Sequence, residues 1–167
     1  MRLLNDITRK DEKSRFFKKE LIYKDIEFSD KQELFKTVAE DLMSSEYVKE
    51  CFLDKIIERE DNYPTGLPGE INVAFPHTNP EYINQEFIGV VLLNEPLEFI
   101  QMATEDKKLN VEVVFILGYK HGIDQVKILQ LLIDEFILGN GIEKIRKKID
   151  KESIVSWLKR NVEDKII

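Results

Sequence analysis

The sequence has few of the residues that form disulfides and metal sites. Its single cysteine, Cys51, excludes an intramolecular disulfide, and its two histidines, His77 and His121, are too few for a structural zinc site. No apolar run approaches the ~20 residues of a membrane-spanning helix, and no signal-peptide pattern is present. We therefore expect a soluble, cytoplasmic protein without a metal or other cofactor, in which any histidine chemistry depends on His77 or His121.

The composition predicts one folded, acidic domain. Hydrophobic residues make up 43% and charged residues 34% of the 167 residues, which is enough apolar material for a single core. The net charge of −7 and the pI near 5.0 argue against nucleic acid as a partner. Residues 1–20 hold seven basic and four acidic side chains, a net of +3, so the remainder carries −10. We interpret residues 1–19 as an extension outside the core and residues 20–162 as the domain.

Hydrophobic patterning predicts an α/β fold of three layers, in which a mixed sheet of about five strands lies between helices. Short runs rich in β-branched and aromatic residues predict the strands, at 71–75, 87–93, 97–100 and 111–117, with a further strand or extended arm at 21–28. A hairpin turn is expected at Asn94-Glu95-Pro96. Because the runs 87–93 and 111–117 are almost wholly apolar, both faces of the sheet should be covered by helices.

Apolar residues at helical spacing predict the helices. They are expected after Ser29-Asp30, from about 46 to 61, after Gly122, and at about 141–149 and 151–161. In the second helix we expect Glu60 to face solvent and Cys51 to be buried. In the third we expect Val126 to belong to the buried stripe.

Three short motifs follow one another between the second helix and the first long strand. The helix ends in Glu58-Arg59-Glu60, the loop contains Pro64-Thr65-Gly66, and a short strand leads into Pro76-His77. In this order and spacing the motifs resemble the enzyme IIA domains of the sugar phosphotransferase system, in the fructose–mannitol superfamily (type 2). The resemblance extends over about residues 21–161.

The resemblance implies a phosphoryl carrier. The histidine-containing phosphocarrier protein would supply the phosphoryl group to His77, which would pass it to a cysteine of enzyme IIB. Together with the membrane component enzyme IIC, that step couples phosphorylation to the uptake of a sugar or sugar alcohol. A neutral imidazole suits this reaction, because one ring nitrogen attacks phosphorus while a hydrogen bond holds the proton on the other.

The motifs also supply candidates for stabilising the phosphoryl group. The guanidinium of Arg59 can bind two phosphoryl oxygens, and Thr65 offers a hydroxyl on a glycine-containing loop. Each has a simpler reading: His77 as an ordinary loop histidine, Arg59 as a cation at a helix C-terminus, and Thr65 as part of a plain turn.

One position departs from the fructose and mannitol types, which often have a second histidine at the start of the helix after the last strand. Here that position is Gln125, which can donate a neutral hydrogen bond to a phosphoryl oxygen but cannot titrate. Gln125, the loop Tyr63-Pro64-Thr65-Gly66-Leu67 and Thr78 after the histidine are together more similar to the galactitol-type branch. The resemblance makes Gln125 and Thr78 further candidates for stabilising the phosphoryl group. His121 lies four residues before Gln125, and we interpret it as an exposed residue near the helix start.

Two other functions remain open from the sequence. A regulatory protein similar to enzyme IIA would keep the phosphorylated histidine but signal by binding other proteins. A noncatalytic binding domain would contain Pro76-His77 by coincidence. The carboxylates of Glu105, Asp106 and Asp61 could suggest a metal site. Scattered carboxylates are expected in a chain with 32 acidic residues, so we assign them no metal.

Overall fold

The computed structural model describes residues 14–148 and 150–166, with the backbone alone at Ile123. Its helices are α1 (Lys31–Ser44), α2 (Phe52–Asn62), α3 (Gly122–Ile133), α4 (Gly141–Arg146) and α5 (Lys151–Asn161). Its strands are β1 (Ile22–Ile26), β2 (Gly66–Leu67), β3 (Val73–Ala74), β4 (Phe87–Ile100) and β5 (Lys108–Gly118). No helix within the described residues has the length and apolar character to span a bilayer.

The strands form one mixed sheet in the order β1-β4-β5-β3-β2. β4 and β5 pair antiparallel at the centre, β1 lies parallel to β4, and β3 lies parallel to β5. β2 closes the other edge, antiparallel to β3. The predicted mixed sheet of about five strands is confirmed.

The sheet separates two apolar cores, because alternate residues of its central strands point to opposite faces. Val90 pairs with Phe115 on one face, and their neighbours Val91 and Val114 pair on the other. Helices α3, α4 and α5 cover the first face, and α1 and α2 cover the second. The predicted three-layer arrangement is therefore confirmed.

The segment before β1 belongs to the first core. Phe16 and Phe17 are fully buried there, and the Phe16 carbonyl accepts a hydrogen bond from the Ile88 amide at 2.8 Å. Ser14 Oγ and the Phe16 amide both donate to one carboxylate oxygen of Glu163, each at 2.6 Å, which brings the two ends of the domain together. The prediction that residues 14–19 lie outside the core is wrong; residues 1–13 of the predicted extension lie outside the described part of the chain.

The predicted hairpin turn at Asn94-Glu95-Pro96 is also wrong. β4 runs through these residues, and its register against β5 shifts between Leu92 and Leu97, so that the triplet forms a bulge. Pairing with β1 ends at Leu93, so β4 is an edge strand on that side where Pro96, which has no amide hydrogen, is tolerated. The hairpin turn lies instead between Ile100 and Lys108.

Helix α2 begins at Phe52, six residues later than predicted, and Cys51 is its half-exposed N-cap residue rather than a buried one. Phe52, Ile56 and Glu60 are its buried residues. Spacing of four places these three on one face, so the prediction of a solvated Glu60 is wrong.

Helix α3 buries Ile128 and Leu132, and Phe136 extends this face into the π-helical turn Asp134–Leu138. Val126, which we predicted to be buried, is 70% exposed.

Candidate functional site

The site lies where β3 and β5 end. These strands are parallel, so the segments that follow them leave the sheet at the same edge, which is where open α/β sheets commonly bind ligands. The segment after β3 stays attached to β5, since the Leu117 amide donates to the Pro76 carbonyl at 3.0 Å and His77 forms a bridge with Leu117. β5 continues through Tyr119 into α3, whose first turn carries Gln125. Strand pairing thus holds His77 close to the N-terminal end of α3.

Both ring nitrogens of His77 have a partner. Nδ1 lies 2.7 Å from the carbonyl oxygen of Phe75, and Nε2 lies 3.1 Å from the side-chain nitrogen of Gln125. A carbonyl oxygen only accepts, so Nδ1 carries the proton and Nε2 holds a lone pair that accepts from the Gln125 amide. The orienting acceptor is a backbone carbonyl of the same loop, and the nitrogen free to react is Nε2.

The surroundings of His77 favour its neutral form. The ring is 6% exposed. Burial lowers its pKa below the usual histidine value and the positive charge of Arg59 lowers it further, whereas the hydrogen bond to Phe75 acts in the opposite direction. The tilted ring of Tyr119 covers one side of the imidazole, with 5.9 Å between ring centroids. A neutral imidazole with an available Nε2 lone pair is a nucleophile.

Arg59, at the end of α2, has unused hydrogen-bonding capacity. Its Nε is buried and has no hydrogen-bond partner among residues 14–148 and 150–166, and its Nη1 donates to Asn79 Oδ1 at 3.3 Å. The guanidinium lies over the ring of Tyr63 at 5.7 Å. Beside it is a cavity of about 170 Å³, which Thr78 and Asn79 also line. Within the described residues the guanidinium forms no ion pair with a carboxylate, although Glu58 also lines this cavity, so an anion that enters can pair with Arg59.

Thr65 and Thr78 do not present free hydroxyls. Thr65 donates its hydroxyl hydrogen to the buried carboxylate of Glu60, and the oxygen accepts from the Phe75 amide at 3.1 Å. Thr78, also buried, donates to the Asn79 carbonyl at 3.1 Å. The structure therefore brings His77, Arg59 and Gln125 together, with Thr78 at the cavity wall, and places Thr65 behind the loop as a structural link.

His121 lies apart from this arrangement. It is the exposed N-cap residue of α3, and its side chain makes no capping hydrogen bond. Gln125, one turn further along, is the α3 residue that contacts His77.

Three residues near the site were missed in the sequence: Glu60, Asn79 and Tyr119. The spacing of Glu60 from Phe52 and Ile56 on α2 is a signal that identifies its buried position. Asn79 follows the Pro76-His77 pair closely, as a positioning residue often does, but nothing in its type singles it out. Tyr119 reaches His77 only because β3 and β5 are neighbours, which local sequence does not show.

The fold and the site together define a three-layer α/β protein with an oriented, neutral histidine beside an arginine. The family model described as "Phosphoenolpyruvate-dependent sugar phosphotransferase system, EIIA 2" matches residues 15–161. The chain belongs to this family, whose members are components of a phosphotransferase system.

The chain is also similar to part of a longer regulatory protein. The chain is 25% identical over 138 residues to the transcriptional regulator ManR of Bacillus subtilis (strain 168), covering 83% of this chain and 20% of that protein. It thus spans about a fifth of the length of that regulator.

Solved structures show the same fold. The nitrogen regulatory protein IIA-Ntr of Neisseria meningitidis superposes with a TM-score of 0.64 at 20% identity, covering 86% of this chain and 95% of that one. Enzyme IIA for mannitol from Escherichia coli, in a complex with phosphorylated enzyme IIB, superposes with a TM-score of 0.52 at 20% identity, covering 83% and 85% of the two chains.

Proposed function

We propose that this protein is a cytoplasmic phosphoryl carrier that uses Nε2 of His77. The histidine-containing phosphocarrier protein donates the phosphoryl group, and a cysteine of enzyme IIB receives it for uptake of a sugar or sugar alcohol through the membrane component enzyme IIC. The observation that carries the proposal is the 2.7 Å contact between Nδ1 and the Phe75 carbonyl, because it leaves the Nε2 lone pair for attack.

The reaction consists of two balanced transfers. In the first, the Nε2 lone pair attacks phosphorus, an N–P bond forms on His77, and the N–P bond of the donor histidine breaks. In the second, a thiolate of enzyme IIB attacks the same phosphorus, an S–P bond forms, and Nε2 regains its lone pair. The proton on Nδ1 stays in place throughout, held by Phe75. No base is needed to remove a proton, so catalysis depends on positioning and on stabilising charge.

Arg59, Gln125 and the start of α3 supply that stabilisation. Within the described residues the buried Nε of Arg59 has no partner, so a phosphoryl group that reaches the guanidinium displaces no other acceptor from this nitrogen. Gln125 leaves Nε2 when the phosphorus approaches, and its amide then donates to a phosphoryl oxygen. The amide groups and dipole at the N-terminus of α3 add partial positive charge on the same side. Thr78 contributes to the wall of the cavity.

Gln125 supports a galactitol-type substrate within this family. It occupies the position of the second histidine of the fructose and mannitol types and hydrogen-bonds directly to the reactive ring. A neutral amide adds no titrating charge beside the phosphoryl group, in contrast to histidine. We therefore propose that the associated transporter takes up galactitol or a similar sugar alcohol.

A regulatory role is the second candidate. The similarity to the regulator ManR and to IIA-Ntr favours it, since both are named for regulation. Phosphorylation of His77 would be the same in either role, and the two differ in the acceptor. Discharge of the phosphorylated protein by a purified galactitol-type enzyme IIB supports the transport role. A phosphorylated protein that keeps its label in the presence of that enzyme IIB supports regulation.

Labelling with phosphate tests the proposed site. The protein is incubated with the phosphocarrier protein, its kinase and labelled phosphoenolpyruvate, and acid-labile phosphate on the protein is measured. We expect about one label per chain, none on His77→Ala, and full labelling of the matched control His121→Ala. An unlabelled wild-type protein, or a labelled His77→Ala variant, contradicts the proposal.

A further inference from the structure

The carboxylate of Glu60 is buried behind the reactive loop without a cationic partner. Its side chain is 3% exposed, and within residues 14–148 and 150–166 it forms no ion pair. Its hydrogen-bond partners are the amide of Thr65, at 3.0 Å, and the hydroxyl of Thr65, at 3.1 and 2.9 Å from the two carboxylate oxygens. Burying a charged carboxylate is costly unless it is paired as well as hydrogen-bonded. Glu60 has hydrogen bonds but no ion pair in the described residues, so its burial needs an explanation beyond packing.

The hydroxyl of Thr65 connects Glu60 to the next strand segment. It has one hydrogen, which it donates to the carboxylate, so its oxygen faces the Phe75 amide as an acceptor at 3.1 Å. When the carboxyl group of Glu60 is ionised, its charge strengthens this hydrogen bond. Glu60 therefore fixes the direction of the Thr65 hydroxyl, and that hydroxyl fixes the Phe75 amide.

Phe75 is the residue that holds the histidine ring. Its amide is bound to Thr65, and its carbonyl accepts the Nδ1 hydrogen of His77 at 2.7 Å. The next residue, Pro76, has no amide hydrogen. The amide of Phe75 is therefore the last backbone donor before His77, and it binds Thr65. The Pro76 carbonyl is bound on the opposite side, by the Leu117 amide. The position of the Phe75 carbonyl is thus determined from both sides.

We propose that Glu60 is a positioning residue for His77, acting through Thr65 and Phe75 to hold the Nδ1–H form of the ring and leave Nε2 unprotonated. The effect on phosphoryl transfer rests on the proposed function, whereas the effect on the ring does not. Glu60 touches no reacting atom. Its contribution is the fixed direction of one carbonyl group, and a small error there would turn or release the imidazole.

Nitrogen NMR of the two histidines tests this directly. With ¹⁵N-labelled histidine the protein gives two imidazole spectra, and the exposed His121 serves as an internal reference. We expect wild-type His77 to have a proton bonded to Nδ1 and none on Nε2 at neutral pH. Thr65→Val, which removes the hydroxyl with little change of volume, should increase the share of the Nε2–H form.

The same variant should slow phosphate labelling by about tenfold, by analogy with the lower end of the loss found when residues that orient metal-binding histidines are removed. Thr65→Ser keeps a hydroxyl and should restore both the wild-type spectrum and the rate. Glu60→Gln keeps the shape but not the charge, and should shift both readouts in the same direction by less. Asp54→Asn, an exposed carboxyl on the same helix, is the matched control and should change neither.

The proposal is overturned if folded Glu60→Gln and Thr65→Val retain the wild-type His77 spectrum. It is also overturned if labelling is lost while the spectrum is unchanged and Thr65→Ser fails to restore the rate, because Thr65 would then act only on the fold. If Thr65→Val does not fold, Glu60→Gln decides the outcome. A wild-type protein that accepts no phosphate contradicts the proposed function alone, since the nitrogen spectra still test the role of Glu60.

Discussion

At the scale of single residues, the site depends on a few groups that share hydrogen bonds. The neutral form of His77 is favoured because burial and the charge of Arg59 lower its pKa, and the ring is oriented because one carbonyl accepts its proton. Arg59 contributes to the first property because it provides that charge, and within the described residues its buried Nε has no hydrogen-bond partner. Removing Arg59 should therefore change the charge state of the ring as well as its reactivity.

We predict that Arg59→Ala raises the pKa of His77, because the positive charge that disfavours the imidazolium is lost. It should also slow phosphate labelling by about 100-fold, as expected when a donor to the transferring group is removed. Nitrogen NMR titration of His77 measures the first effect, and rapid-quench labelling measures the second.

Arg59→Lys separates charge from geometry. It keeps a positive charge, so the pKa of His77 should stay low, but an ammonium group cannot bind two oxygens in the planar manner of a guanidinium. Its labelling rate should lie between those of Arg59→Ala and the wild type. Labelling of Arg59→Ala at the wild-type rate would remove Arg59 from the mechanism.

The sequence motifs lead to His77, Arg59 and Gln125 as candidates because they lie at recognisable spacings, and in the structure Gln125 contacts His77 while the charge of Arg59 acts on it. Their roles in phosphoryl transfer stay a prediction. From the sequence the Thr65 hydroxyl is expected to be available for a phosphoryl oxygen, whereas in the structure it is hydrogen-bonded to Glu60 and to the Phe75 amide. Glu60 was missed since a glutamate is normally expected in solvent. The hydrogen bonds behind a functional loop join residues from different elements, and no local pattern records them.

At the scale of elements, β5 ends at the glycine with the least room for a side chain. A Cβ atom at Gly118, the last residue of this strand, would lie 2.1 Å from a ring carbon of the buried Phe87. The ring and the strand end cannot both keep their positions with a larger residue there. Tyr119, which covers His77, is the next residue.

We predict that Gly118→Ala lowers the free energy of unfolding by about 2 kcal/mol, a typical cost of overpacking a core. Urea denaturation followed by circular dichroism measures it. Gly122→Ala is the matched control, because a Cβ there meets nothing within 4 Å and alanine is favoured in a helix. Equal stability of Gly118→Ala and the wild type would contradict the close packing of Phe87.

The elements themselves were largely predictable, whereas their connections were not. The apolar runs of β4 and β5 identified both strands and their two covered faces. Asn94-Glu95-Pro96 was misread because a polar triplet with proline has the same appearance in a turn and in a bulge. The register with β5, which decides between them, is a property of two strands together.

At the scale of the whole molecule, the buried Glu60 links stability to pH. Burial raises the pKa of Glu60 to about 7. The hydrogen bonds from Thr65 and the positive charge of Lys31 lower this pKa, and the negative charge of Asp61 raises it. A carboxyl whose pKa is higher in the folded state binds more protons there than in the unfolded chain. Its stabilising contribution is therefore complete below the unfolded value, near 4.5, and is lost as the pH rises through about 7.

We predict that the free energy of unfolding decreases between pH 4.5 and 7 through Glu60, by roughly 3 kcal/mol. His77 acts in the opposite direction, because its lowered pKa makes folding less favourable as the pH falls below the usual histidine range. Urea denaturation at several pH values should show a flatter profile for Glu60→Gln than for the wild type. A profile as steep in Glu60→Gln as in the wild type would assign the pH dependence to other groups.

The charge of residues 14–19 is a poor guide to where the domain begins. Their basic side chains, shared with residues 1–13, suggested a segment outside the core, but Phe16 and Phe17 fill space against the first face of the sheet. Two adjacent aromatic residues outweigh the charges around them, since each removes a large apolar area from water.

The contact between Ser14 and Glu163 has a consequence for how this fold is used in larger proteins. Because Ser14 and Glu163 are in contact, the chain enters and leaves the domain at the same place, and two short linkers would be enough to insert the domain into another polypeptide. Neighbouring domains then need not wrap around the sheet to connect with each other. A fold closed in this way is suited to serve alone or as one unit of a modular chain without rearranging its core.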